Sequence, residues 1–368
     1  MKEKKPNRLD IWVLNAGEGD SIILHNFYEG EDSFALIDSN IYKSDPPALT
    51  KLSQLGCTKL NFVLLTHPHA DHYRGLPLIM DRYPVDTFYS YPIKIDQAGR
   101  LRKLGEIYKK RIAHPTKTIR TAAMDFLLTL KKAKETGEWH ELTGPENRIR
   151  AKGFSNVELT AVLPLPKNKG EYFQMIENGD DSVFENRNLN KLSVALRLRY
   201  AGLELILGAD GTVSDWMGHR KEFKKTNETI NASIVKLPHH GSKNDCDSSV
   251  IDYVFSNKSD HNTIALISAT GNKHHPHEEV IQNLQAKGIK PYCTNLSKVC
   301  RGNISRINTN KNLEASLNRY VNSSVVDDKN QPCQGDIQLA ITEDGKSDIF
   351  TEYNHPCPYR GDFDYLIK

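Results

Sequence analysis

The strongest constraint on this chain is a histidine-rich hexapeptide, HPHADH at residues 67–72, which directly follows an apolar run. Such a run predicts a buried strand, so the hexapeptide begins where that strand ends. His67 and His69 alternate along an extended backbone and can project from one side of it toward a first metal ion. Asp71 and His72 lie past the turn and can reach a second ion. Because one stretch cannot close either coordination shell, other segments have to supply the remaining ligands.

Composition excludes several classes of protein. The 368 residues include 38% hydrophobic and 26% charged residues, enough apolar material for a large folded core. The net charge of +3 does not by itself indicate nucleic acid or an anionic membrane as a partner. Residues 1–8 are charged and lack the apolar core of a secretory signal, and no apolar run approaches the ~20 residues of a membrane span. We therefore expect a cytoplasmic protein with no membrane partner; its protein partners are left open.

The six cysteines are spread thinly along the chain. This density does not describe a disulfide scaffold, and reduced thiols are the simplest interpretation. Cys293 and Cys300 are too far apart in sequence for the CxxC knuckle of a structural zinc site. A structural metal at these two residues is the weaker interpretation.

The fold class follows from the order of the predicted elements. Short strands at 9–14, 21–24 and 34–37 form a meander, and helices alternate with strands from a predicted helix at 47–55 onward. Further strands are predicted at 157–163, 192–199 and 203–207. This order predicts an α/β protein.

The strand predicted at 192–199 alternates apolar with smaller or basic residues, which predicts one buried face. The polar stretch before it, 178–191, is predicted to be a surface loop bordering a site. Residues 98–137 are rich in Lys and Arg with apolar residues at helical spacing, which predicts amphipathic helices, one of them at 122–134. Their basic face could contact an anionic polymer, or it could simply be a solvated surface.

These patterns also define the predicted domains. Residues 1–300 form the main domain, and 98–150 form a basic helical insertion in it. Residues 301–368 form a C-terminal extension that packs on the same domain and contains a hairpin with strands at 338–341 and 348–351.

Three more predicted strands end in side chains that bind metals. Asp210 follows one strand; a lone Asp there is commonly a turn or cap residue, but beside the histidine cluster it is the candidate to bridge two ions. His239 and His240 follow the next strand. His275 and His277 belong to a cluster after a further strand, together with His274, and either line a cleft or precede a helix.

Imidazole and carboxylate ligands without thiolate favour two divalent ions, zinc first and manganese or iron as alternatives. Two ions sharing a carboxylate would hold a hydroxide between them and polarise the scissile group. The chemistry predicted from the residues is metal-assisted hydrolysis without a covalent enzyme intermediate.

Three motifs carry a resemblance to a known family. The sequences HPHADH, LGAD and PHHGS resemble the metallo-β-lactamase superfamily, and specifically its branch related to the soluble domain of the competence protein ComEC. The likeness extends to NAGEGDS, LID and HPHEEV and covers residues 9–90 and 157–295. It implies an αββα metallo-β-lactamase sandwich with its site at strand ends along one edge; the helical insertion and the C-terminal extension lie outside it.

The resemblance also implies roles for individual residues. It implies that the first ion binds His67 and His69, that the second binds Asp71, His72 and His240, that Asp210 bridges them, and that His239 lies close to the substrate. Asp71, Asp210 and His239 are accordingly the predicted catalytic residues.

Many members of the superfamily have a further histidine between the first cluster and the bridging Asp. Here that interval offers only His114 and His140, so we expect water, His239 or substrate to complete the first site. The first ion is therefore expected to be the more exchangeable one.

Four residues are predicted to bind substrate. Ser242 and Lys243 could hold a phosphate or could be turn residues. His277 could line the cleft. Asn190, like the nearby Ser193, rests on the resemblance alone.

The resemblance implies a phosphodiesterase, and specifically a nuclease for which the basic insertion would offer a track for a phosphate backbone. A second hypothesis is a hydrolase of a small molecule such as a lactam, lactone, thioester or nucleotide, with the insertion as a lid. A third is an inactive, metal-stabilised interaction module. The set of Asp71, Asp210 and His240 argues against the third, because a purely structural site has no use for a bridging acid.

Overall fold

The computed structural model describes residues 6–93, 98–145, 147–224, 229–255, 263–271, 275–297, 299–300, 333–355 and 357–360. The strands are β1 (Arg8–Val13), β2 (Ile22–Tyr28), β3 (Glu31–Ile37), β4 (Leu60–Leu65), β5 (Val85–Ser90), β6 (Glu138–Glu141), β7 (Arg148–Ile149), β8 (Glu158–Ala161), β9 (Leu196–Tyr200), β10 (Leu203–Leu207), β11 (Ile234–Lys236), β12 (Ile264–Ile267), β13 (Lys290–Cys293), β14 (Ile337–Thr342) and β15 (Ser347–Thr351). The α-helices are α1 (Pro47–Gln54), α2 (Ala70–Tyr73), α3 (Leu76–Arg82), α4 (Ala98–Ile112), α5 (Lys117–Glu135), α6 (Pro166–Asn178), α7 (Asn186–Asn190), α8 (Val213–Phe223), α9 (Ser248–Val254) and α10 (Glu278–Ala286). Short 3₁₀ helices cover Asp181–Phe184, Pro238–Gly241 and Pro358–Arg360.

The strands form two sheets. The first has eight strands in the order β15-β14-β1-β2-β3-β4-β5-β6, and the second has seven in the order β13-β12-β11-β10-β9-β8-β7. In the first sheet β1, β2 and β3 pair antiparallel, as the predicted meander requires, and β3 to β6 run parallel. In the second, β10 to β13 run parallel, so their carboxyl ends share one edge.

Both faces of the second sheet are covered, and the core divides accordingly. Leu205 and Leu207 of β10 belong to the apolar cluster shared with the first sheet. Ile206, on the opposite face of the same strand, packs in a second cluster with Trp216 and Val250 of the helical layer. Two sheets packed against each other with helices outside confirm the predicted αββα sandwich.

This burial corrects the prediction of a strand at 192–199 with one buried face. Strand β9 begins only at Leu196, and Ser193, Ala195 and Arg197 are buried along with the apolar positions. Arg199 near the end of β9 is the exposed residue of that face, and the pattern misled because helices cover the rest of this side of the sheet. The stretch 178–191, predicted to be a surface loop bordering a site, contains helical turns at Asp181–Phe184 and α7 instead of an irregular loop. Asn186 and Leu189 of this stretch do line a cavity beside the predicted ligands.

The segment 98–150 is helical over its first part. Helices α4 and α5 pack on each other and bury Leu104, Tyr108 and Phe126. The segment then supplies the edge strands β6, in the first sheet, and β7, in the second. Near the other end of the chain, β14 pairs with β1 and β15 pairs with β14, so the predicted hairpin extends the first sheet.

Among the described residues, no helix is both long and apolar enough to span a membrane.

Candidate metal centre

Three strand ends meet at one edge of the sandwich. The hexapeptide follows β4, Asp210 follows β10 and the His239-His240 pair follows β11. Backbone hydrogen bonds tie these ends together: Val194 N donates to Thr66 O (3.0 Å), and His239 N donates to Ala209 O (2.8 Å). The fold thus brings together histidines and carboxylates that are far apart in sequence.

Asp210 lies at the middle of this cluster. Its Oδ2 lies 3.6 Å from His67 Nε2 and 3.7 Å from His239 Nε2. Its Oδ1 lies 3.6 Å from His72 Nε2 and 3.7 Å from His240 Nε2. Each carboxylate oxygen therefore faces its own pair of imidazoles, which is the arrangement a carboxylate bridging two ions needs.

These separations exceed hydrogen-bond length but suit ligands of a shared ion. The atoms concerned are buried without a hydrogen-bond partner: His69 Nε2, His72 Nε2, His240 Nε2 and Asp210 Oδ1. Orphaned buried nitrogens and a carboxylate oxygen are costly unless a cation satisfies them. The donor set of imidazole and carboxylate therefore fits divalent metal ions.

The structure also places the remaining predicted ligands at the centre. Asp71 Oδ2 lies 3.9 Å from His72 Nε2 and 4.0 Å from His240 Nε2, on the side of Asp210 Oδ1. His69 Nδ1 lies 3.0 Å from His67 Nε2, on the side of Asp210 Oδ2. The two groups of ligands thus follow the predicted division between a first and a second ion.

His239 is the residue whose position adds most to the sequence interpretation. Its Nε2 faces the same Asp210 oxygen as His67 does, while its Nδ1 lies 2.5 Å from Asp245 Oδ2 and 3.2 Å from Asn190 Nδ2. A carboxylate behind an imidazole holds the opposite nitrogen toward a metal. His239 is thus placed beside His67 on the Oδ2 side of Asp210.

Other acids stand behind the second group of imidazoles. Asp38 Oδ2 lies 2.7 Å from His72 Nδ1, and Asp20 Oδ1 lies 3.6 Å from His240 Nδ1. Asp20 is itself paired with Lys236, and both side chains are buried. Sequence reasoning noted Asp20 and Asp38 only as parts of motifs and gave no role to Asp245 or Lys236, because their proximity is created by the fold.

The local charges favour an ionised bridging acid. Burial by itself would raise the pKa of Asp210, but the imidazoles of His239, His240, His72 and His67 hold it well below its usual range. Burial would lower the pKa of His72, yet Asp210, Asp38 and Asp71 raise it to about 10. A proton on His72 would have to leave before this imidazole could bind a divalent ion.

The backbone is strained at this edge. Asp38, Ala209, His239 and His240 have φ values of 55°, 44°, 43° and 53°, in the left-handed region that non-glycine residues rarely adopt. Such strain persists only where the surroundings enforce it, and it concentrates at functional sites.

The predicted substrate residues are less closely gathered. Asn190 contacts His239. Ser242, two residues after His240, is buried. The backbone N of Lys243 donates to His277 Nδ1 (3.2 Å). The Nζ of Lys243 forms an ion pair with Glu279 Oε1 at 3.0 Å.

The other histidines of the sequence interpretation have different outcomes. The ring of His275 lies 5.3 Å from that of His239, so this residue borders the centre. His274 lies outside the described residues. His140 stands on the edge strand β6, 3.3 Å from Glu138, and is not a member of the cluster.

A cavity of about 340 Å³ opens beside the centre. Its floor includes His69, Asp71, Asp210 and His239. Its opposite wall comes from the insertion and from the stretch before β9: Tyr108, Arg111, Thr118, Ile119, Ala122, Ala123, Phe184, Asn186 and Leu189. The insertion therefore forms part of the space in which a substrate would lie.

Residues 27–158 match the model of the metallo-beta-lactamase superfamily. No protein among the curated ones matches the sequence.

The solved structures that match this chain are distant from it. A mutant of the β-hydroxylase CmlA is 14% identical with a TM-score of 0.42, and the match covers 79% of this chain and 53% of that one. Zn(2+)-bound PqqB from Methylobacterium extorquens is 11% identical with a TM-score of 0.40, covering 78% and 97%. A mutant metallo-beta-lactamase from Cronobacter sakazakii is 14% identical with a TM-score of 0.36, covering 75% and 91%.

Proposed function

We propose that this protein is a metal-dependent hydrolase that cleaves phosphodiesters, with nucleic acid as the first substrate class to test. The position of Asp210 is the observation that supports a hydrolase. Its two oxygens each face a separate pair of imidazoles at 3.6 to 3.7 Å. The choice of phosphodiesters as the substrate class rests on the resemblance of the motifs to the ComEC-related branch.

The residues divide into two sets of ligands. The first ion would bind His67, His69 and His239 with Asp210 Oδ2; the second would bind Asp71, His72 and His240 with Asp210 Oδ1. Zinc suits these donors, and manganese or iron could replace it. When bound, the ions supply Lewis acidity to the scissile group and to the attacking water.

The protein's own residues prepare this chemistry. Asp38 and Asp245 hold the rings of His72 and His239 so that each Nε2 points inward. Asp210 stays ionised because imidazoles surround it. Since these groups are fixed before substrate arrives, little reorganisation is needed during the reaction.

A basic side chain of the insertion favours an anionic substrate. Arg111 lines the cavity, and its guanidinium lies 3.8 Å from the centroid of the Phe184 ring. Stacking on an aromatic ring holds a guanidinium in place while leaving its N–H groups able to donate. Arg111 is thus placed to bind a phosphate or carboxylate beside the centre.

The cavity favours a second candidate, a hydrolase of a small ester, lactone or nucleotide. A volume of about 340 Å³ lies within the range of small-molecule pockets. In this case α4 and α5 would act as a lid rather than as a track for a polymer. The apolar residues of the wall, such as Ile119 and Leu189, would then contact the substrate.

The decisive experiment measures metal content and hydrolysis on the same purified sample. Zinc-loaded and manganese-loaded protein is given single-stranded DNA, double-stranded DNA, RNA, bis-p-nitrophenyl phosphate and a panel of small esters and lactones. We expect phosphodiester cleavage that His69→Ala and Asp71→Ala abolish. His140→Ala, an exposed histidine outside the cluster, is the matched control and should keep full activity.

The outcomes separate the candidates. Turnover of small substrates with intact nucleic acid would favour the second candidate. Metal binding without turnover of any substrate would favour the interaction module. Arg111→Ala should raise the KM for anionic substrates while leaving that for a neutral lactone unchanged.

A further inference from the structure

Four cysteines that are far apart in sequence come together beside strand β13. Cys293 is the last residue of β13, and Cys300 follows it. Cys333 precedes β14, and Cys357 follows β15. The spacing of these residues gave no motif, because Cys333 and Cys357 flank the final hairpin and lie far from Cys293 in sequence.

Backbone hydrogen bonds fix this return. Cys333 N donates to Thr294 O and Gln334 N donates to Cys293 O, both at 3.0 Å. The segment after the hairpin is tied to the same place, because Gln334 Nε2 donates to His355 O at 2.7 Å. The backbone N of Arg360 donates to Cys357 O. The guanidinium of Arg360 lies 4.5 Å from the centroid of the Tyr292 ring in β13.

All four side chains are removed from solvent. Cys293 is 6% exposed, Cys300 7%, Cys333 5% and Cys357 7%. None of the six cysteines, all of which lie in the described part of the chain, forms a disulfide. Four reduced thiols therefore share one buried region.

The thiols are close enough to affect one another's ionisation. Burial and then the neighbouring Cys300, Cys333 and Cys357 raise the pKa of Cys293 well above its ordinary value. Burial and then Cys300 raise the pKa of Cys333 to about 12. Cys246 is equally buried, but no other thiol contributes to its raised pKa.

We propose that Cys293, Cys300, Cys333 and Cys357 bind one zinc ion in a tetrathiolate site that is separate from the histidine and aspartate centre. Four thiolates and no imidazole form a closed structural shell, which leaves no position for substrate. Soft sulfur ligands select zinc over the hard cations magnesium and calcium. Zinc would remove the mutual repulsion of neighbouring thiolates.

The site would join the two halves of the sandwich. Cys293 belongs to β13 of the second sheet, while Cys333 leads into β14 of the first. The four sulfurs do not form a cluster within 4.8 Å, as the ligand atoms of His67, His72 and Asp210 do. Binding would therefore draw them together and tighten the final hairpin against β13.

The test uses the full chain, with Asp210→Ala to weaken the histidine and aspartate centre. Elemental analysis should find that Asp210→Ala retains one tightly held zinc and that adding Cys333→Ser or Cys357→Ser removes it. Cys57→Ser and Cys246→Ser replace buried thiols outside the cluster and should leave that zinc in place. Replacing zinc with cobalt in the wild-type chain should give intense sulfur-to-cobalt charge-transfer absorption.

The cobalt spectrum decides the question even if the cysteine variants do not fold. Its absence from folded, cobalt-loaded wild-type protein would overturn the proposal. The proposal would also be overturned if Cys333→Ser left the zinc content unchanged. A mass increase on reduction, which would show a disulfide among these cysteines, would overturn it as well.

Discussion

Asp38 Oδ2 lies 2.7 Å from Nδ1 of His72, and both side chains are completely buried. The same carboxylate accepts from Thr66 N at 2.8 Å and from Thr66 Oγ1 at 2.6 Å. When His72 donates from Nδ1, the lone pair of its Nε2 points at Asp210. Asp38, which lies behind the imidazole, thus determines which nitrogen of His72 can bind a metal.

The first prediction concerns this pair. Asp38→Asn should weaken metal binding roughly 10- to 100-fold, because the amide no longer fixes the ring and tautomer of His72. Competition with a chromophoric chelator measures the affinity. Asp10→Asn removes a buried carboxylate of β1 that pairs with Arg8 at 2.8 Å, and it should leave metal affinity unchanged. Equal losses in both variants would contradict the positioning role of Asp38.

The second prediction concerns Gly19, which has a φ of +82° and lies against the backbone of Asp71. A Cβ at this position would lie 1.9 Å from Asp71 O, so Gly19→Ala has to displace Asp71. Gly30 is the matched control, because its φ is +91° and no atom lies within 4 Å of its Cβ position. Both variants should lose about 1 kcal/mol of stability from backbone strain. Only Gly19→Ala should lose hydrolysis and second-site metal, as measured by turnover and metal titration.

The third prediction concerns the buried ion pair of Lys236 and Asp20. Lys236→Met leaves the Asp20 carboxylate buried without its partner and should cost about 3 to 5 kcal/mol. Adding Asp20→Asn should restore much of this loss, because the double variant no longer buries a charge. Urea unfolding of the metal-free proteins measures both effects. A single variant as stable as wild type would show that water reaches this pair.

The fourth prediction is that metal binding releases protons. Burial would lower the pKa of His239, but Asp210 and Asp245 raise it to about 9, as the acids around His72 raise its pKa to about 10. Both values lie above the ordinary 6.5, so these charges stabilise the metal-free fold below that pH. This stabilisation is lost as the pH rises through the raised values.

Metal affinity should change in the opposite direction, increasing with pH because the ligands have to lose their protons. Calorimetric titration in two buffers of different ionisation enthalpy should detect the proton release at neutral pH. An affinity that is constant between about pH 6 and pH 9 would contradict the prediction.

The sequence could indicate the candidate site because its ligands follow apolar strands directly. His67, Asp210 and His240 each stand at the end of such a run, and parallel strands bring their carboxyl ends to one edge. The alternation of apolar with smaller or basic residues gave the wrong burial for β9, because the burial of each face depends on what packs against it. It also gave no sign that residues 138–149 would add an edge strand to each sheet.

The sequence by itself determined the residues that could bind metal, because imidazole and carboxylate donors are set by side-chain chemistry and their spacing follows strand and turn geometry. Only the tertiary structure decided how they are paired. It turned one oxygen of Asp210 toward His67 and His239 and the other toward His72 and His240. It also brought Cys333 and Cys357, which flank the final hairpin, to Cys293. Contacts between residues separated by tens or hundreds of positions depend on the packing of whole elements, which local sequence does not encode.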